Sequence, residues 1–481
     1  MLHTDPVPGH AVSPARQPRF EDLMTRNLSR EHGFEALDVE GNLPEGLRGT
    51  LYRNGPGIFD LFGARYDHPF EGDGAVNAVR FDGRGGARGA VRITESAGLR
   101  AERQAGRRLF GSSLPWWRRM WNMHVGGGTK NTANTNVIVW QERVLALMEA
   151  ARPTELDADD LRTLGETDLG VVGQAFSAHP HYVHSRRALY NFGVRYGRES
   201  ALELYELPDR GAPRRLGEVP LDGPPMLHDF IATDHHLVFF VPPAWVDVPR
   251  MMLQRGTFTD MFRWRPERGV QVVVVPIDRP DDYVSFHADA FYQWHYVNAF
   301  ERDRDIVVDF VHYPDFSSFR AFSSDEDIPP GTLHRATVDT AARRLRLEQL
   351  DDRPGEFPRV HPGREGAAYN VAWLTVDDLR GIARYDLTSR TLDVLELPQD
   401  WITSEVVFVP TSDESEVEGW LIGQTYDASR DRSGVSVYDA ARFIDGPVAT
   451  AWFDHPLPIT FHGNWAQARQ ASNPATGPTS R

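Results

Sequence analysis

Residues 293–301 read QWHYVNAFE. Bulky β-formers flank a single histidine, His295, and the run alternates as a strand does, with successive side chains pointing to opposite faces. An imidazole in the middle of an aromatic strand has two readings. It is a core histidine with one backbone partner, or a metal ligand aimed into a closed cavity. One histidine does not decide between them, so the question passes to its companions and to the fold that would gather them.

Strand runs of the same kind recur along the whole chain. Examples are NAVRFDG (77–83), TNVIVWQERVLALME (135–149), HHLVFFVPP (235–243), VQVVVVPI (270–277), RDIVVDFVHY (304–313) and GVSVYDAARF (434–443). Most are short and bounded by Gly, Pro, Asp or Asn, as antiparallel hairpins require. Only TELDADDLRTLGE (154–166) reads as a helix. No interior linker breaks the pattern, so residues 31–469 form one domain, with 1–30 a partly flexible extension and 470–481 a small, polar, disordered tail. A single all-β domain of this length exceeds an ordinary sandwich and suits a β-propeller. Seven blades of the 481 residues would take about 69 residues each, against ~40–50 for common propeller repeats. The excess would form loops over one face, although no internal repeat at that period is visible.

The net charge of −16 disfavours nucleic acid as a partner, since that binding asks for a basic face. There is no cysteine, which excludes disulfides and thiolate chemistry. A metal must therefore be held by His, Asp, Glu or backbone oxygen. The N-terminus has no apolar signal region, and no apolar run approaches the ~20 residues that span a bilayer. The expectation is a soluble cytoplasmic protein, with peripheral contact at the inner membrane surface as an added possibility; the sequence leaves oligomeric state open.

Of the 18 histidines, four sit in similar strand-like or turn settings: His179 in AFSAHPHYV, His228 in PPMLHDFIAT, His295 and His462 in ITFHGNWA. The gaps of 49, 67 and 167 residues match no local metal motif. A propeller permits them, because the inner strand of every blade lines one axis. His181, His235 and His236 are close rivals, and spacing alone does not exclude them.

Longer motifs resolve the choice. NLPEGLRGTLYRNGPG (42–57), HPFEGDGAV (68–76), KNTANTNV (130–137), LALMEAARPTELDADDLRTLG (145–165), SAHP (177–180), MLHDF (226–230), HYVNAFE (295–301), GEFPRVHP (355–362), SEVVFVP (404–410) and FHGNWA (461–466) follow in that order. The chain resembles the carotenoid cleavage oxygenases, and most the bacterial apocarotenoid (15,15') oxygenases. The resemblance implies a seven-bladed propeller with a loop and short-helix cap over the metal-bearing axis. It implies a ferrous ion, Fe2+, held by His179, His228, His295 and His462, with His181, His235 and His236 left out. It places carboxylates at Glu149, Glu356 and Glu405 to support His228, His295 and His462, leaving His179 without one. Thr135 matches a small side chain that crowds one open iron position. Phe70, Met148, Trp294 and Phe357 match substrate-contact positions.

The implied reaction is scission of a conjugated C=C bond of a carotenoid or apocarotenoid by O2, giving two carbonyl fragments of the retinal type. No protein acid or base stands out, and none is needed. The runner-up is a stilbenoid, lignostilbene-type dioxygenase. Those enzymes carry a Lys just before the first supporting Glu and a Tyr after the LFG segment, where this chain has Met148 and Ser113. A non-catalytic propeller for hydrophobic ligands is opposed by the full set of histidines and glutamates. The isomerohydrolase branch is weaker still, since its palmitoylated segment needs cysteine. Two stretches, 109–125 with Trp116, Trp117, Met120 and Trp121, and 242–256 with Trp245, Met251, Met252 and Leu253, mix aromatics or methionines with arginines, as a membrane-interface patch would.

Overall fold

The computed structural model of the protein describes residues 23, 26–124, 129–197, 199–321 and 328–468. Most of the extension expected over 1–30, the end of the stretch 109–125, and the tail 470–481 lie outside the described residues. Within 26–30 the chain is tied down: Arg26 forms a two-bond pair with Asp431, and Arg30 Nη1 lies 2.8 Å from both carboxylate oxygens of Asp454.

Seven antiparallel sheets of four or five strands account for the fold, each a propeller blade. Taken from their innermost strands, blade 1 begins at His462–Gln467, blade 2 at Asn136–Trp140, blade 3 at His181–Val183 and blade 4 at Ile231–Ala232. Blades 5, 6 and 7 begin at Tyr296–Arg302, Gly355–Val360 and Trp401–Pro410. The reason the strands read as continuous apolar runs is visible in blade 4. Leu237, Phe239 and Val241 pack toward blade 3, while Val238 and Phe240 pack toward blade 5. Both faces of the sheet are buried, so the period of two is hidden in the sequence. Seven such cores, one between each adjacent pair of blades, carry the ring round to its start.

The ring closes twice. The last strand, His462–Gln467, pairs with Arg48–Ile58 inside blade 1, and the early strand Asp38–Gly41 pairs with Ala449–Trp452 at the edge of blade 7. Each closure joins the two ends of the chain, and neither blade is complete without the other end.

The helix expected over 154–166 is instead two paired strands, Thr154–Leu156 and Thr163–Glu166. The acidic run between them makes a turn. Asp157 and Asp160 accept the N–H groups of Asp159 and Arg162 at 2.8 and 2.9 Å, competing with helix bonds. Leu161 adopts a left-handed φ of 63° and buries its side chain between blades 1 and 2. The helices lie elsewhere, at Ala97–Ala105, Trp116–His124, Val248–Leu253 and Ser317–Ala321. They sit in insertions between blades 1 and 2, within blade 4 and within blade 5, and form the cap. No helix among the described residues is long and apolar enough to cross a membrane.

The seam in blade 1 yields a test. A Cβ on Gly463 would meet the carbonyl oxygen of Tyr52 at 2.2 Å and Cδ of Arg53 at 2.5 Å. Gly463→Ala is expected to lower unfolding free energy by about 1–3 kcal/mol, read by urea denaturation. An unchanged midpoint and slope would show that the closure tolerates displacement.

Candidate metal centre

The four histidines selected from the sequence meet at the axis. Their ligand atoms all lie within 4.8 Å of one another, and all four residues are buried. Along the set, Nε2 of His179 lies 3.0 Å from that of His228, His228 lies 3.3 Å from His295, and His295 lies 3.1 Å from His462. His179 and His228 precede the inner strands of blades 3 and 4, His295 precedes that of blade 5, and His462 opens that of blade 1. The rivals do not join them. His181 Nε2 faces Asp229 Oδ1 at 3.1 Å, and His236 Nδ1 faces Glu301 Oε1 at 2.8 Å.

Three of the outer nitrogens face carboxylates. His295 Nδ1 makes a short contact with Glu356, and His462 Nδ1 lies 3.0 Å from Glu405 Oε1. His228 Nδ1 lies 2.8 Å from Glu149 Oε1, close but not aligned as a hydrogen bond. His179 has no carboxylate partner among the described residues. A carboxylate that accepts the Nδ1 proton leaves Nε2 as a bare lone pair, and the lone pairs here converge. Burial, followed by the neighbouring histidines, pushes the pKa of His179 well below its usual value. Burial also takes His462 down to about 4. Burial opposes charge on His295 too, but the Glu356 carboxylate outweighs it and holds that pKa above the ordinary one.

Blades 2, 6 and 7 bring Glu149, Glu356 and Glu405, so each of the seven blades gives one residue to the centre. Backbone irregularities deliver several of them. The register shifts between Glu356 and Arg359, between Thr403 and Val406, and between Tyr296 and Asn298. Such bulges re-aim side chains at the rim of a site. Phe357 sits in the first with φ of 52°, its amide donating to Glu356 Oε2 at 2.7 Å. That strained turn points Glu356 at His295 and sets the Phe357 ring 5.3 Å from the His295 ring.

Several residues of the centre escaped the sequence reading. Arg53, fully buried, donates to Glu405 Oε2 at 2.9 Å, and Arg359 donates to Glu405 Oε1 at 2.8 Å. Tyr313 donates to Glu356 Oε1 at 2.8 Å. Asp229, next to His228, accepts the amides of Phe230 at 2.8 Å and Tyr296 at 3.0 Å, and it also meets His181. It thus fastens together the segments that carry His179, His228 and His295. Arg53, Arg359 and Asp229 all lie inside the motifs quoted above, but an ionic residue in a motif does not announce its partner.

The donor set suits a divalent cation. Nitrogens at about 2.1 Å from one ion and at right angles stand ~3.0 Å apart, near the spacings observed. Glu405 is matched by two arginines, whereas Glu149 and Glu356 have no guanidinium or ammonium ion-pair partner among the described residues. Two carboxylates are therefore available to balance an ion that its neutral ligands leave uncompensated. Thr135, 6 % exposed, places its hydroxyl 3.3 Å from Glu149 Oε2.

A cavity of about 1780 Å³ opens from three of the histidines, His228, His295 and His462. Phe70, Met148, Trp294 and Phe357 all line it, as does Thr135. Phe70 stands edge-on to Trp294 at 6.1 Å and to Phe461 at 5.5 Å, and Trp294 edge-on to His228 at 5.0 Å. The ground next to the centre is thus aromatic and apolar.

Replacing Glu149 or Glu356 by Gln is expected to weaken metal binding about 10–100-fold, measured by chelator competition. Glu405→Gln should in addition cost about 3–5 kcal/mol of stability, because it strips Arg53 and Arg359 of their charge partner. Equal unfolding midpoints for the three variants would refute that distinction.

Comparisons with known proteins agree with the geometry. Residues 25–467 match the family model of the retinal pigment epithelial membrane protein. The apocarotenoid-15,15'-oxygenase of Synechocystis sp. is 31 % identical over 468 residues, covering 91 % of this chain and 94 % of that protein. Lignostilbene-alpha,beta-dioxygenase isozyme III of Sphingomonas paucimobilis is 28 % identical over 488 residues, covering 92 % and 96 %. A solved structure of a Synechocystis apocarotenoid oxygenase variant superposes with a TM-score of 0.86 at 28 % identity, covering 94 % of this chain and 100 % of that one. With its seven blades, its four convergent histidines and a family match over nearly its whole length, the chain belongs to the retinal pigment epithelial membrane protein family, that of the carotenoid cleavage oxygenases.

Proposed function

We propose that the protein is a non-haem Fe2+ dioxygenase that cleaves one conjugated C=C bond of a carotenoid or apocarotenoid, with both atoms of O2 ending in two carbonyl products. The observation that carries this reading is the union of four buried, convergent imidazoles with an aromatic cavity. Bound iron would supply the activation of O2 that a closed-shell polyene lacks. His179, His228, His295 and His462 would hold it. Glu149, Glu356 and Glu405 would keep each partner imidazole in the tautomer that presents Nε2 inward. Phe70, Met148, Trp294 and Phe357 would fix the polyene and exclude water, so that positioning does the work otherwise asked of an acid or base. Thr135 would narrow one open side of the ion.

The apolar reading is favoured over the stilbenoid one by two positions. Met148 lines the cavity, and its sulfur is engaged by the Thr132 amide at 3.2 Å. Ser113 is exposed and takes a 2.7 Å bond from Arg108 Nη1. Neither offers a phenol an ionic partner, and an unpaired buried hydroxyl costs about 1–3 kcal/mol. Aerobic incubation of iron-loaded protein with apocarotenals, carotenoids and hydroxystilbenes, products being identified by mass, tests the assignment. Apocarotenals should give two carbonyl fragments and consume one O2 per turnover. Alanine at any of the four histidines should abolish turnover and iron retention. Turnover of hydroxystilbenes alone would overturn the substrate class.

Peripheral membrane contact belongs to the same reading. Trp116, Trp117 and Trp121 are 57, 56 and 63 % exposed on one helix, and Met252 and Leu253 are 47 % exposed on its neighbour. His124 Nε2 lies 3.2 Å from the Met252 carbonyl oxygen, so the two form one patch. Indole rings on an outer face suit a lipid interface. Replacing all three tryptophans by Ser should reduce co-sedimentation with vesicles at least tenfold. Retained binding would assign the patch another role.

A further inference from the structure

The two helices of the cap are amphipathic in the inverted sense. Their apolar side chains Trp116, Trp117, Trp121, Val248, Met252 and Leu253 face outward. Their polar residues Arg119, Asn122 and Gln254 line the cavity, together with Glu71. The cavity thus joins aromatic residues beside the histidines to polar groups that the cap contributes among its own apolar ones.

Arg119 dominates the polar end. It is 8 % exposed. Its Nη1 donates to the carbonyl oxygens of Ser112 at 2.9 Å and Gly256 at 2.6 Å. Nε and Nη2 have no acceptor among the described residues, and neither is sealed from accessible space. No carboxylate among them comes within ion-pair distance. Glu71 and Asp67 act on Arg119 only at longer range. Both are committed to Ser112, whose amide and hydroxyl each reach Glu71 at 2.6 Å while the hydroxyl lies 2.8 Å from Asp67. Guanidinium N–H groups in a mostly buried side chain gain when an oxygen acceptor meets them. Here the acceptor's place is in the cavity.

We propose that Arg119 forms an end-group subsite, donating from Nε and Nη2 to a carbonyl or carboxylate oxygen at one terminus of the polyene while the bond to be cut lies at the histidines. The inference rests on the polyene-cleaving reading and adds a class and an orientation to it. The substrate is oxygenated at one end, and that end stays beneath the cap. A hydrocarbon polyene of equal length would leave the guanidinium unpaired and bind less well.

The test is equilibrium binding to metal-free full-length protein, followed by quenching of tryptophan fluorescence, so that it does not depend on turnover. Polyenes of matched length ending in a methyl, an aldehyde or a carboxylate are compared in zwitterionic detergent. Wild type should favour the carboxylate end over the methyl end by about tenfold or more, as a charge-assisted bond allows, with the aldehyde between. Arg119→Met should bring the ratio near one, and Arg119→Gln should restore part of it for the aldehyde. Thermal unfolding of each variant separates loss of the subsite from loss of the fold. A wild-type protein that binds polyenes without end-group preference overturns this inference alone, whereas failure to bind any polyene overturns the parent reading. In a parallel arm, vesicles with and without anionic phospholipid are offered to the same variants. If Arg119→Met weakened only binding to the anionic vesicles and left the end-group ratio intact, the ligand of Arg119 would be a lipid phosphate and the proposal would fall.

Discussion

Imidazole nitrogens held 3.0–3.3 Å apart, with their lone pairs converging, repel one another until a cation lies among them. Much of the structure serves to hold that arrangement. Each of the seven blades sends one residue to the axis, four as histidines and three as carboxylates that face histidine nitrogens on the far side. A cation bound there would offset the repulsion between the imidazoles and the burial of Glu149 and Glu356. Without one, both costs stay in place. Glu405 differs, because Arg53 and Arg359 satisfy it whether or not an ion is present. Blade 7 and the seam of blade 1 are thus locked together by their own ion pairs, while the carboxylates of blades 2 and 6 would gain their electrostatic balance from a bound cation.

The propeller was legible because its blades are buried on both faces. Runs such as VQVVVV (270–275) say strand through β-branching and length, and their lack of alternation follows from neighbours on either side. The number of blades was less legible, since insertions of the cap interrupt the period. The error over 154–166 has a local cause. Spaced apolar residues imitate a helix, but Asp157 and Asp160 turn the chain through their own side chains. In sequence the stretch 109–125 has the look of a membrane-interface patch; within it Trp116–His124 forms a helix whose outer face is apolar and whose buried face carries Arg119.

At the centre, spacing offered seven histidines and no means of choosing among them; the surrounding motifs supplied the choice. What spacing conceals is pairing. Asp229 is one residue from His228 in the sequence, yet its partners are the amides of Phe230 and Tyr296 and the ring of His181, reached across three blades. Arg53 and Arg359 are 306 residues apart in the numbering of the chain, and both arrive at Glu405. Such contacts follow from closing the ring, so they become readable only after the ring is drawn.

The division between propeller and cap follows from what each part must tolerate. The centre needs nitrogens set to within a few tenths of an ångström, and strands anchored by seven inter-blade cores supply that rigidity. Strain is affordable there. Phe357 keeps its left-handed φ of 52° because its amide is bound to Glu356 and its ring is packed against His295 and His462. On the proposed reading the cap has the opposite task of meeting a ligand that arrives from an apolar phase. Its helices are short, and the insertions that carry them leave the blades' own pairing undisturbed. Their outward tryptophans and inward arginine suit the proposed contact with a medium less polar than the cavity mouth within. On the proposed reading a substrate would meet apolar, polar and then aromatic surroundings. A pure hydrocarbon would gain nothing from the middle step, whereas an amphipathic polyene could leave its oxygen there while its chain continued to the histidines.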